Sequence, residues 1–269
     1  MLSDYSVHPS LATSDIEKAR SWYAERLGLE PIVAFPSLLA YQVEQTIFTV
    51  FETAAAGTAM NTVAIWRVPD LRAEVSRLRG RGVVFADLDY GDGDRTIDGV
   101  MTTADPAGGV VLNAWFRDVD GNWISIVEQS EHPGEPAAGM GVGAMLAAVD
   151  LARAKAWYAD KLGLEPLHYF PDEEMVYRQG ATHFSVYQTD SAGTARNTVA
   201  VWRVDDLRAE MAALRLRGVD FEDYEMGEDK TVDGLYTDPD DGSLAAWFAD
   251  SEGNTLGLVE DHGEPLRPR

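Results

Sequence analysis

The chain has 269 residues, 45% of them apolar and 25% charged, a balance that excludes wholesale disorder and leaves room for one large domain or two of ordinary size. It contains no cysteine, which excludes disulfides, thiolate nucleophiles and thiolate metal sites. A formal net charge of −23 argues against a nucleic-acid partner, because phosphate contacts need clustered Lys and Arg; it gives either a solvated acidic surface or a field that steers a cationic ligand into a cleft.

Met1 to His8 carries no basic stretch followed by an apolar one, and no apolar run reaches the ~18 residues that span a bilayer. The expectation is a soluble, cytoplasmic protein with no membrane partner. Val7 to Ala12 predicts a strand. Ser14-Asp-Ile-Glu17 then matches a capping box, in which the Ser side chain and the Glu three residues later satisfy free helix N–H groups. Ile16, Ala19, Trp22, Tyr23 and Leu27 share one helical face, and Gly28 stops the helix. Strands follow near Pro31–Phe35, Leu39–Val43 and Thr46–Glu52. The pattern restarts with a strand over Asn61–Val68 and a helix over Asp70–Gly80 that turns Leu71, Val75 and Leu78 inward. Strands near Gly99–Thr103, Val110–Phe116 and Asn122–Val127 complete a double β-α-β-β-β order.

That order is then repeated. Trp22-Tyr-Ala-Glu-Arg-Leu-Gly-Leu-Glu-Pro31 recurs as Trp157-Tyr-Ala-Asp-Lys-Leu-Gly-Leu-Glu-Pro166. Ala56-Gly-Thr-Ala-Met-Asn-Thr-Val-Ala-Ile-Trp-Arg-Val68 recurs as Ala192-Gly-Thr-Ala-Arg-Asn-Thr-Val-Ala-Val-Trp-Arg-Val204. Thr96-Ile-Asp-Gly99 matches Thr231-Val-Asp-Gly234, Ala114-Trp-Phe116 matches Ala246-Trp-Phe248, and His132-Pro-Gly-Glu-Pro136 matches His262-Gly-Glu-Pro265. Matches this dense mean internal duplication. The reading divides the chain into a first domain over 1–129, a linker over 130–140, a second domain over 141–261 and a tail over 262–269.

The strand–helix order, the Trp-Tyr…Leu-Gly-Leu-Glu-Pro segment and the Gly-Asn turns at Asp120-Gly-Asn122 and Glu252-Gly-Asn254 resemble the vicinal oxygen chelate superfamily, which includes glyoxalases, bleomycin-resistance proteins and extradiol dioxygenases. The resemblance implies an α+β fold of two tandem domains. Pairs of βαβββ units form curved mixed sheets around a cavity, with helices on the outer face. It also implies a dimer written as one chain: a monomer that is a pseudo-dimer of halves, or a homodimer of such chains.

The resemblance further implies where metal ligands would stand. The first-strand position falls on His8 and Gly143, the restarting-strand position on Val63 and Val199, and the last-strand glutamate on Ser125 and Gly257. Glu128 and Glu260 lie three residues further along, which turns them to the other face of the strand. Glu52 and Gln188 are nearest the position that ends the first unit. If there is a metal, His8 and Glu52 are its candidates; the expectation is none, and no other cofactor.

Strand alternation then sketches a pocket, if the family's register holds. Its first-half lining is His8, Ser10, Ala12, Val63, Ile65, Arg67, Trp123 and Ser125; its second-half lining is Met145, Ala147, Val199, Val201, Arg203, Thr255 and Gly257. Trp66 and Trp202 point the other way, toward the helices. Arg67 and Arg203 either hold a ligand oxyanion or pair with a carboxylate across the sheet. Asp98 and Asp233 either serve Asp-Gly turns or join His8 as acid/base candidates. The leading reading is a metal-independent protein that binds an apolar or aromatic small molecule, with antibiotic or natural-product sequestration as one version. The other is a lyase, isomerase or epimerase, with a degenerate metal site or metal-free acid/base chemistry.

Overall fold

A computed structural model of the protein describes residues 2–91, 93–104, 109–129, 141–226 and 229–262; the expected linker over 130–140 and the tail beyond His262 lie outside them. The first half runs β1 (Val7–Thr13), α1 (Ile16–Trp22), β2 (Val33–Phe35), β3 (Leu38–Val43), β4 (Thr46–Glu52), β5 (Thr62–Arg67), α2 (Leu71–Gly80), β6 (Met101–Ala104), β7 (Val110–Arg117) and β8 (Trp123–Gln129). The second runs β9 (Gly141–Ala148), α3 (Leu151–Trp157), β10 (His168–Phe170), β11 (Glu174–Gln179), β12 (Thr182–Gln188), β13 (Thr198–Arg203) and α4 (Leu207–Leu216). A two-stranded hairpin, β14 (Glu225–Met226) with β15 (Asp229–Lys230), precedes β16 (Leu235–Thr237), β17 (Leu244–Ala249) and β18 (Thr255–Glu260).

The fold is α+β, built on two curved eight-stranded mixed sheets, each a pair of βαβββ units. The first sheet is ordered β16-β17-β18-β13-β1-β4-β3-β2 and the second β10-β11-β12-β9-β5-β8-β7-β6. Each sheet therefore joins the opening unit of one half to the closing unit of the other. The joints are antiparallel, β1 on β13 (His8 opposite Val201) and β5 on β9 (Ile65 opposite Gly143). Sequence repeats and sheets do not coincide.

The aromatic clusters do follow the repeats, within one continuous hydrophobic core. Tyr23, Tyr41, Phe48, Trp66 and Phe116 pack ring on ring within the first half, and Tyr158, Tyr177, Phe184 and Trp202 do so within the second. Trp202 is wholly buried and Trp66 nearly so, on the helix-bearing side as expected. Each such ring contributes about 1.5–3 kcal/mol by leaving water.

The motif residues hold this core shut. Tyr23 Oη donates to Asp118 Oδ2 at 2.9 Å, and Asn122 Nδ2 donates to the same oxygen at 2.7 Å and to the Ala12 carbonyl at 2.7 Å. Tyr158, Asp250, Asn254 and Ala147 repeat the arrangement, each bond at 2.8 Å. The latch ties β1 and α1 in one sheet to the β7–β8 turn in the other. Burial pushes the Asp118 and Asp250 carboxyls up, and the Asn and Tyr donors pull against it.

The capping box is corrected by one residue. Asp15, not Ser14, is the N-cap and accepts from Lys18 N at 2.9 Å, while Ser14 Oγ donates to Asp120 Oδ1 at 2.6 Å. A carboxylate suits the positive end of the helix dipole better than a hydroxyl, and Asp70, Asp150 and Asp206 do the same job elsewhere. Gly28 ends the first helical segment at φ 76°, a left-handed turn that lets Leu29 N reach the Tyr23 carbonyl at 3.1 Å.

Candidate functional site

Because side chains alternate across a strand, the concave face of each sheet can be read as rows of cross-strand neighbours. In the second sheet the central row is Trp115, Ser125, Ile65 and Gly143, on β7, β8, β5 and β9. In the first it is Trp247, Gly257, Val201 and His8, on β17, β18, β13 and β1. The same backbone thus carries two different surfaces.

The second sheet encloses a cavity of about 820 Å³. Ile65, Arg67, Trp123, Ser125 and Met145 line it, five of the residues named from sequence, and they come from both halves. Trp115, Tyr187, Phe170, Met101 and Leu88 supply further apolar wall, and Asn61, Thr62, Asn113, Glu173, Glu174 and Asp94 supply polar groups. Tyr90 packs against Trp115 with centroids 6.2 Å apart, and the Arg117 guanidinium lies 4.2 Å over the Trp123 ring. Gly143 leaves room here at a tight spot: a Cβ at this position would meet the His183 carbonyl oxygen at 3.0 Å.

Val63 and Val199 are placed differently from expectation. The register shifts between Thr62 and Ala64 and between Thr198 and Ala200, so one residue in each strand has no partner opposite it. Such a bulge resets the alternation. Val63 and Val199 are buried in the hydrophobic core, at 1% and 0% exposure, and Thr62 lines the cavity instead. Ala12 and Ala147 are wholly buried on β1 and β9.

His8, Ser10, Val201, Arg203, Thr255 and Gly257 lie on strands of the first sheet, apart from the cavity. His8 is buried, with Nδ1 hydrogen-bonded to the Ile47 carbonyl at 3.2 Å. Burial first, and the nearby Arg203 charge second, lower its pKa to about 4, so it is neutral at pH 7. Thr49 Oγ1 donates to Ser10 Oγ at 3.1 Å. Arg203 forms an ion pair with Asp261, and burial lowers its pKa to about 10. Trp247 stands between Tyr224 and Tyr236, with centroids 5.7 and 6.4 Å away. On this face His8 and Ser10 are buried and the rings of Trp247, Tyr224 and Tyr236 are partly buried against one another.

The remaining candidates are corrected. Glu52 Oε2 accepts from Ile16 N at 3.2 Å, capping α1 from the face opposite His8, so the two do not meet. Glu128 and Glu260 cap α2 and α4 in the same way, accepting from Leu71 N and Leu207 N at 2.7 Å, which keeps them off the concave faces as their odd offset requires. Asp98 and Asp233 are exposed turn residues at φ 52° and 53°, away from the cavity, and their carbonyls accept from Arg79 and Arg215. Among the described residues no three His, Asp or Glu side chains come together to hold a metal. The positions that the resemblance assigns to ligands carry Gly143, Ser125 and the core residue Val63 in the second sheet, and Gly257, the core residue Val199 and a single engaged imidazole, His8, in the first. These residues do not fit a chelated ion.

Trp115, Tyr187 and Asn61 were missed by the sequence reading. Trp115 could have been found, because it alternates with the core residue Phe116 in a repeated motif; Tyr187 could not, since it enters the site only through the joint between halves.

Residues 6–126 match the Glyoxalase/Bleomycin resistance protein/Dioxygenase superfamily. No curated protein matches the chain. Among solved structures, the chain is similar to glyoxalase I from Zea mays (TM-score 0.63, 14% identity, 95% of this chain and 92% of that one). It is also similar to a proposed dioxygenase from Bacillus subtilis (TM-score 0.56, 20% identity, 96% and 84%). At these identities the likeness is one of fold. Among the described residues, no helix is long and apolar enough to cross a membrane.

Proposed function

We propose that the chain, whose residues 6–126 match the Glyoxalase/Bleomycin resistance protein/Dioxygenase superfamily, is a tandem member of it and binds one apolar or aromatic small molecule in the second-sheet cavity without a metal. The observation that carries this reading is the wall of that cavity. Five aromatic side chains, Tyr90, Trp115, Trp123, Tyr187 and Phe170, surround a volume of about 820 Å³, in the range of small-molecule sites. The floor positions that would hold chelating groups are Ser125 and Gly143. Grip then comes from apolar contact, with Arg67, Asn113 and Asn61 setting orientation. Sequestration of a natural product or antibiotic is the concrete form of this function, since the acid/base candidates Asp98, Asp233 and His8 stand outside the cavity.

Each sheet's dependence on both halves supports a monomer that acts as its own dimer. The test is a titration of chelator-treated protein with flat aromatic compounds, followed by tryptophan fluorescence. Quenching that persists without divalent metal, and weakens in Trp115→Phe and Trp123→Phe, is the expected result. Binding that appears only when a divalent ion is restored would contradict the proposal.

A further inference from the structure

Resting on that reading, we infer that the Asn61 end of the second-sheet cavity is a subsite for a protonated amine, so that the ligand is an aromatic or apolar molecule bearing a cationic nitrogen. Asn61 lines the cavity at 3% exposure, and its Oδ1 has no hydrogen-bond partner among the described residues. Its amide nitrogen is already committed to the Thr62 carbonyl at 3.0 Å. A buried acceptor without a donor is destabilising, and a ligand N–H that reaches it removes that penalty. Tyr187 closes the same end, its hydroxyl accepting from Thr62 N at 2.8 Å. Glu173 and Glu174, at the β10–β11 turn, line the cavity beside Phe170, and Glu174 sits opposite Tyr187 in the sheet. Acceptors, carboxylates and ring faces together describe a cation site. Arg67, at the far end of β5, leaves that end for neutral or anionic groups.

The first sheet provides an internal control. Asn197 repeats Asn61, down to the buried, unpartnered Oδ1. Its surroundings do not repeat. Leu38 and Phe51 are the opposed pair where Glu174 and Tyr187 stand in the other sheet, and Arg196 replaces Met60 in the repeated segment. An arginine at that mouth repels an amine. Among the described residues the subsite is therefore single.

Calorimetric titration with tryptamine, its neutral analogue skatole, and indoleacetate tests the inference. Tryptamine is expected to bind at least about tenfold more tightly than skatole, with one site per chain, and indoleacetate more weakly than either. Asn61→Ala should remove most of that tenfold preference, read as the ratio of tryptamine to skatole affinity within the variant. The double variant Glu173→Gln/Glu174→Gln, at the cavity rim, should reduce the preference severalfold and keeps the test valid if Asn61→Ala does not fold. Equal affinity for tryptamine and skatole overturns the amine subsite and leaves the cavity's function standing. Failure of all three probes to bind overturns both.

Discussion

The two concave faces share a backbone, a strand order and a repeated sequence, yet one lines the cavity of about 820 Å³ and the other carries a buried His8 beside the packed rings of Trp247, Tyr224 and Tyr236. Four positions make most of the difference. Gly143 stands where the first sheet has His8, Met145 where it has Ser10, Leu88 where it has Tyr224, and Met101 where it has Tyr236. The helix-side cores show no such divergence: Tyr23 and Tyr158, Asp118 and Asp250, and Asn122 and Asn254 make the same bonds in both halves. Duplication supplied two equal scaffolds, and the difference between them lies on the surfaces that do not hold the fold together.

The largest expected effect exposes the His8 face through pH. His8 has a folded pKa of about 4 against an ordinary 6.5, so the unfolded chain takes up a proton that the folded chain refuses. Its contribution to stability is intact above pH 6.5, falls as pH drops toward 4, and levels off below that, for a loss of about 3 kcal/mol. Denaturant titrations at stepped pH should show wild type losing that much more than His8→Gln over this window. Parallel curves for the two would mean that the first-sheet face is wet and open.

Installing the first-sheet residue in the cavity face comes next. Gly143→His should lower ligand affinity by roughly thirtyfold, about 2 kcal/mol, because its Cβ crowds the His183 carbonyl and its ring enters the cavity. Undiminished binding by the folded variant would put the ligand elsewhere. A smaller, deliberately equal pair of effects checks the shared cores. Tyr23→Phe and Tyr158→Phe should each cost about 1–2 kcal/mol in unfolding free energy, through the loss of a donor to a buried carboxylate. A large inequality would show that the halves differ inside as well as on their faces. Smallest of all, Arg153→Ala, which removes the exposed partner of Glu252 but leaves the bonds that carboxylate accepts from Val149 N and Asp150 N, should barely move the denaturation midpoint.

Much of this was legible in the sequence. The repeat, the strand–helix order and the outward turn of Glu128 and Glu260 follow from periodicity, which is a local property. Ile65, Arg67, Ser125 and Met145 were found by counting alternate residues along single strands. What alternation cannot see is a bulge, so Val63 and Val199 were placed on the wrong face. Nor can it see which strands pair: β5 lies on β9, not on a strand of its own half, and this joint alone brings Phe170, Glu173 and Tyr187 to Trp123. Ser14 was read as the cap because the motif fits it, whereas a distant carboxylate, Asp120, claims its hydroxyl. Contacts set by tertiary partners leave no local trace.

A crystal structure of the chain grown with a tight-binding aromatic ligand and with divalent metal present would be the most direct test. The molecule should lie on the second sheet against Trp115 and Ser125, with Tyr224, Trp247 and Tyr236 still packed on the first-sheet face. An ion coordinated by the protein between ligand and sheet, or a ligand seated over His8, would contradict the account.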